Sequence, residues 1–127
     1  MKRGFTLGEL LIVIIIVGTL ASISLPKFIA MIEQGKADEA GTYLRLVRSG
    51  EKIYHAENGD YVNCTNATVI RSVLGIELTT ENFGFSVTDA NETAFLATAT
   101  RNSNNQLIIL DAEGNWSGNA TYMPKIQ

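Results

Sequence analysis

The feature that most limits what this chain can fold into is an apolar run close to its amino terminus. From Leu10 to Leu25 the sequence LLIVIIIVGTLASISL carries no charge and only three polar side chains, Thr19, Ser22 and Ser24. Counted from Phe5 the segment is about 21 residues, and as a helix it reaches roughly 32 Å, enough to cross a bilayer core. It reads as a membrane segment. One carboxylate, Glu9, stands inside it, with Lys2 and Arg3 just ahead. A charge at that depth costs about 2.5–3.5 kcal/mol on insertion scales, so Glu9 requires a use and a partner.

The surrounding letters suggest the use. Gly4 followed by Phe5-Thr6-Leu7-Gly8-Glu9-Leu10, with a short basic leader in front and an apolar run behind, resembles the class III signal of type IV pilins and type II secretion pseudopilins. The resemblance implies that a membrane aspartyl prepilin peptidase cuts between Gly4 and Phe5 and that the new Phe5 amine is N-methylated. Glu9 then matches the family's acidic residue, and its partner becomes the Phe5 ammonium of a neighbouring subunit, a pairing that sets axial register. Opposite charges attract strongly where water is scarce. Gly8 departs from the pattern, since the family carries a bulky aliphatic residue there; glycine costs about 1 kcal/mol of helix propensity against alanine.

Two other readings of the same segment stay open. A single-pass anchor has the same hydropathy but gives Glu9 no purpose. A Sec signal peptide takes Lys2 and Arg3 as its basic region and cleavage after Ser24, ahead of a secreted binding domain.

Size and charge bound the remainder. With the first part of the 127 residues committed to membrane or filament core, about 70 are left for one compact head, near the lower limit for a single core. The net charge of −3 gives no basic footprint for nucleic acid. Cys64 is the only cysteine, so no internal disulfide is available; it reads as a buried or half-exposed small residue.

Along the chain, Pro26 removes a helix hydrogen bond and Gly18 weakens the same stretch, so Gly18 to Pro26 reads as a kink or extensible segment. Past Pro26 the pattern turns amphipathic. Ala37, Ala40, Leu44, Val47 and Tyr54 recur at steps of three and four, flanked by Tyr43, Leu46, Gly50 and Ile53, with Glu33, Lys36, Asp38, Glu39, Arg45, Arg48, Glu51 and Lys52 on the rest of the surface. Asn58-Gly59 supplies the stop. A short helix is predicted over Ala67 to Leu74, capped by Thr65 or Asn66 and ended by Gly75. Three strands follow, Phe83–Thr88, Thr93–Thr100 and Gln106–Ala112, joined by hairpin-like loops. Trp116 and Tyr122 are placed sealing a sheet edge. The stretch around Tyr54 to Tyr61, with Leu74-Gly75-Ile76, is also similar to the connecting region of pilins.

The expectation is therefore an α+β chain, with a long amino-terminal helix packed on a small antiparallel meander. Its parts are a leader at 1–4, a transmembrane or filament-core helix at 5–26, an amphipathic helix at 27–58, and a loop and sheet at 59–127. No catalytic constellation stands out and no cofactor is called for. His55, near the helix end, reads as a surface or capping residue, and Asp111, Glu113 and Asn115 as a β-turn rather than a calcium loop. Five Asn-x-Ser/Thr triplets begin at Asn63, Asn66, Asn91, Asn115 and Asn119 and read as a polar surface.

The resemblance implies a structural subunit, not an enzyme. It would be held first in the inner membrane as a single-pass precursor, oriented by Lys2 and Arg3. An assembly platform and its ATPase would then extract it into an extracellular helical homopolymer. A pseudopilin of a type II secretion system is the alternative. Major pseudopilins carry a proline-rich stretch and an Asp-Pro-Trp-Gly-like motif, whereas the prolines here are Pro26 and Pro124.

Overall fold

A computed structural model describes residues 3–125; Lys2, half of the basic pair read above as an orientation signal, lies outside them. The chain divides into two compact units, Met1–Glu33 and Gln34–Gln127, each taken by itself below.

The first unit is helical from Leu7 onward, the start of α1 (Leu7–Asn58, 52 residues). Its large aliphatic side chains, from Leu7 through Ile32, are exposed. By length and composition α1 is able to cross a membrane. The polar interruptions are silenced locally. Thr19 Oγ1 donates to Ile15 O at 2.8 Å, Ser22 Oγ to Thr19 O at 2.7 Å and Ser24 Oγ to Leu20 O at 3.0 Å, so each hydroxyl returns its hydrogen to the helix backbone, as an apolar solvent demands. The helix runs without interruption through Gly18 and Pro26. Pro26 still deprives the Ser22 carbonyl of its ordinary i+4 donor.

In the second unit α1 buries Ala37, Ala40, Gly41, Leu44, Val47 and Glu51, a stripe at helical spacing. Glu51 departs from the sequence expectation, which put it among the surface charges. Leu46 and Ile53 fall on the exposed side. Gly59, with φ +85°, accepts the left-handed conformation that ends the helix. The short helix α2 (Ala67–Leu74) has the bounds its caps dictate. Asn66 Oδ1 accepts the Val69 amide at 3.0 Å, and Gly75 closes it at φ +71°.

The sheet has four strands rather than three: β1 (Phe83–Thr88), β2 (Leu96–Arg101), β3 (Leu107–Asp111) and β4 (Trp116–Gly118), antiparallel in the order β1-β2-β3-β4. Trp116 does not merely seal an edge; it pairs with Leu110 as the first residue of β4. The turn into β4 is built by Asp111, whose Oδ1 accepts the Asn115 amide at 2.8 Å, and by Gly114 at φ +92°. Large and small side chains alternate across the inner face, as in Phe85↔Ala99↔Ile108. With Phe95, Ile70, Cys64 and the α1 stripe they form one core, an α+β architecture. The polar loops are held by side-chain amides. Asn91 Oδ1 accepts the amides of Thr93 and Ala94, Asn63 Oδ1 that of Ala90, and Asn119 Oδ1 that of Leu107. Four of the five triplet asparagines are thus caps or loop ties, and Asn115 donates to Asp111 Oδ2 at 3.3 Å.

Candidate assembly site and the buried groups of the head

The helix that carries Glu9 begins with a reciprocal cap. Thr6 Oγ1 accepts the Glu9 amide at 3.1 Å, and Glu9 Oε2 accepts the Thr6 amide at 3.2 Å. Leu10 N adds a backbone bond to Thr6 O at 3.2 Å. This is a capping box, in which two amides that the first helical turn would leave without acceptors are satisfied by side chains. The residue that meets Glu9 inside the chain is therefore Thr6, four letters that the sequence already spells as Thr-x-x-Glu. Its geometry folds the carboxylate back toward the start of the helix. There the partial positive charge of the helix end also favours an anion, by about 0.3–1 kcal/mol.

Phe5 lies just ahead of this cap and is exposed, as are Gly4 and Glu9. Gly8 and Gly18 have open space where a Cβ would stand, so neither is held to glycine by a contact within the chain.

Within the head, one carboxylate among the described residues is interior. Glu51 has no exposed surface; its Oε2 accepts the Val62 amide at 2.9 Å, while Oε1 has no hydrogen-bond partner. Burial pushes its pKa up, against the Val62 bond that lowers it. Cys64 is equally buried, and burial together with the Glu51 charge pushes its thiol up to about 11, which keeps it an unreactive thiol. His55 places Nε2 2.7 Å from Glu92 O and its ring 4.4 Å from that of Tyr61. That is a tie between α1 and the β1–β2 loop. Among the described residues no three of His, Cys, Asp and Glu stand together as a metal site.

The chain is 30% identical over 93 residues to the "Type IV wide pilus major component PilA4" of Thermus thermophilus, covering 73% of this chain and 69% of that one. The chain belongs to the type IV pilin family. It is also 41% identical over 65 residues to the "Type IV major pilin protein PilA" of Myxococcus xanthus, covering 51% of this chain but only 30% of that longer protein. No family model matches. As a type IV pilin, the chain joins an apolar amino-terminal helix to a four-stranded head, and Thr6 and Glu51 are the residues that the sequence reading passed over. The first was open to view as a capping motif. The second carried no signal, because its burial depends on Val62 folding back eleven positions later.

Proposed function

We propose that the chain is the structural subunit of a type IV pilus or a pilus-like filament. A single observation carries the reading: an exposed apolar helix, of a length that crosses a membrane, opens on a carboxylate already folded toward the helix start by Thr6. In this reading the precursor waits in the inner membrane as a single-pass protein. Prepilin peptidase removes residues 1–4 at the Gly4–Phe5 bond and Phe5 is N-methylated. The assembly platform and its ATPase then extract the subunit, exchanging lipid for neighbouring helices around the apolar segment.

Glu9 is the register device of that assembly. Cleavage creates an ammonium at Phe5 next to the Thr6 cap, and in the filament the Glu9 carboxylate of one subunit receives the Phe5 ammonium of the next. The cap keeps the carboxylate in place before the partner arrives, which lowers the ordering cost of the pair. Gly18 and Pro26 are proposed as the segment that yields when the helix packs among its neighbours. Both relatives are named as pilus components, which favours a pilus over a secretion pseudopilus. Intact mass and amino-terminal sequencing of the mature protein test the processing step. N-methylated Phe5 at the amino terminus supports it, and a chain starting at Leu25 replaces it with Sec processing.

A further inference from the structure

The last described residues lie along α1 and are held by it. Gln34 Nε2 donates to Met123 O at 2.7 Å and to Asp38 Oδ1 at 3.0 Å, and the Lys125 amide donates to the same Asp38 oxygen at 2.8 Å. Between these anchors Pro124 covers Gly41. A Cβ at Gly41 would stand 2.6 Å from Pro124 Cβ and 2.7 Å from its Cγ, with Trp116 Cη2 at 3.5 Å. The glycine is a notch cut for the proline ring.

This hold differs in kind from the rest of the head. Up to Thr121 the chain is tied to β3 and its approach, by Asn119 N and Ala120 N to Leu107 O and by Thr121 N to Gln106 Oε1 at 3.2 Å. Beyond it the described residues form neither strand nor helix; Tyr122 and Met123 pack, half-buried, against the core, and the polar grip passes to two side chains and one notch on α1. A segment held by half-buried contacts and a few side-chain bonds, without ladder hydrogen bonds, opens at a smaller cost than strands that share a core. We propose that Gln34, Asp38 and Gly41 form a latch for Tyr122–Lys125, and that this segment opens and closes as a unit while the head stays folded. Opening uncovers the Gly41 notch and the flank of Trp116. Cys64 is buried and paired through its backbone with Val87, so it lends the tail no covalent tie.

The test is amide exchange on the full chain in detergent micelles, read residue by residue by NMR. The Lys125 amide should exchange at least tenfold slower than in an unstructured peptide, yet at least tenfold faster than the Val87 amide, which donates to Cys64 O at 2.7 Å. Asp38→Ala and Gly41→Ala should each bring Lys125 to within twofold of the unstructured rate and leave Val87 within twofold of wild type. Gln34→Ala should act in the same direction, and Gly41→Ala should shift the emission of Trp116, the single tryptophan. Equal rates for Lys125 and Val87 in the wild type would make the tail part of the core and overturn the latch. So would an unprotected wild-type Lys125, protection that survives both substitutions, or a loss of Val87 protection in all three variants.

Discussion

Glu51 Oε2 receives the Val62 amide at 2.9 Å in the interior of the head, and the other carboxylate oxygen of Glu51 meets no donor. A group arranged this way is better neutral than charged. Its pKa is raised by burial above the ordinary value of 4.5, so the folded state holds this proton more tightly than the unfolded state does. Below about pH 4.5 both states are protonated and nothing is lost; as pH rises through the raised value the folded carboxyl must ionise, and stability falls.

The first prediction is therefore that the head loses stability as pH rises above about 4.5, the ordinary value from which burial raises Glu51, and that Glu51→Gln removes this slope. The amide keeps an acceptor for Val62 without the charge. Glu51→Ala leaves the Val62 amide unmatched and should cost about 1–3 kcal/mol. Thermal unfolding followed by Trp116 emission over a pH series checks both. A wild-type slope unchanged in Glu51→Gln would assign it to another group.

Two carboxylates act in the opposite sense at lower pH. The Lys125 amide, against a smaller effect of burial, holds Asp38 below its ordinary 3.8. Burial raises Asp111, but hydrogen bonds from Asn115, Glu113 and Gly114 outweigh it and hold that carboxyl low as well. Their contributions are complete above pH 3.8 and vanish as pH falls through the depressed values. The second prediction follows: below about pH 3.8 the Lys125 amide loses protection, and Asp38→Asn, which keeps an oxygen for that amide, makes its exchange rate independent of pH in this range once the intrinsic chemistry is subtracted.

Position 118 carries the third prediction. Gly118 sits at φ +122°, and a Cβ there would collide with the carbonyl oxygen of Leu107. The obstacle is backbone, so no rotamer relieves it, and the conformation disfavours any side chain. Gly118→Ala should cost at least about 2 kcal/mol and detach β4. Gly8→Ala meets open space and should leave the unfolding midpoint of the head unchanged, as thermal melts of the two variants will show.

Arg48 shows where reading by letter goes astray. Its place among the surface charges suggests a solvated side chain, but Nε donates to Ala112 O at 3.0 Å and the guanidinium covers Gly114. Arg48→Ala should destabilise the head by about 1.5–3 kcal/mol, whereas Arg45→Ala, which gives up a cation–π approach of 6.0 Å to Trp116, should cost about 0.5–1 kcal/mol.

The difference between what was legible and what was not follows from the range of the interactions. Ala67–Leu74 is written in its own caps, Asn66 and Gly75, and the α1 stripe of Ala37, Ala40, Leu44 and Val47 in its spacing; both depend on neighbours a turn away. The strand at Trp116–Gly118 is three residues long, too short to show an alternation, and exists because Leu110 offers it a partner. Glu51 and Arg48 were assigned by charge, and only the return of Val62 and Ala112 to α1 decides their surroundings. The tail latch joins Gln34 to Met123 across 89 positions, a pairing that no local pattern announces. At the amino terminus the reverse holds. The Thr6–Glu9 cap is local and readable, but the isolated charge in an apolar run draws attention away from the threonine three positions before it.

That cap makes a sharper test of Glu9 possible. Glu9→Leu removes two things together, the charge and the acceptor for the Thr6 amide, and so confounds register with helix initiation. Glu9→Gln separates them, because glutamine serves in a capping box as glutamate does but offers an ammonium no countercharge. If the Phe5 ammonium of a neighbour is the partner, Glu9→Gln should be processed at Gly4 and retained in the membrane with an unchanged head, yet reach the sheared-filament pool at less than about a tenth of the wild-type level, since losing one desolvated charge pair of about 2 kcal/mol or more is worth that factor in each addition step. Thr6→Val keeps the charge and loses the hydroxyl cap, about 1 kcal/mol, and should reduce filament yield several-fold less. Quantitative blots of membrane and sheared fractions from cells lacking wild-type subunit give both numbers. Filaments from Glu9→Gln at the wild-type level, alongside a defect in Thr6→Val, would make Glu9 a helix cap whose charge has no part in assembly.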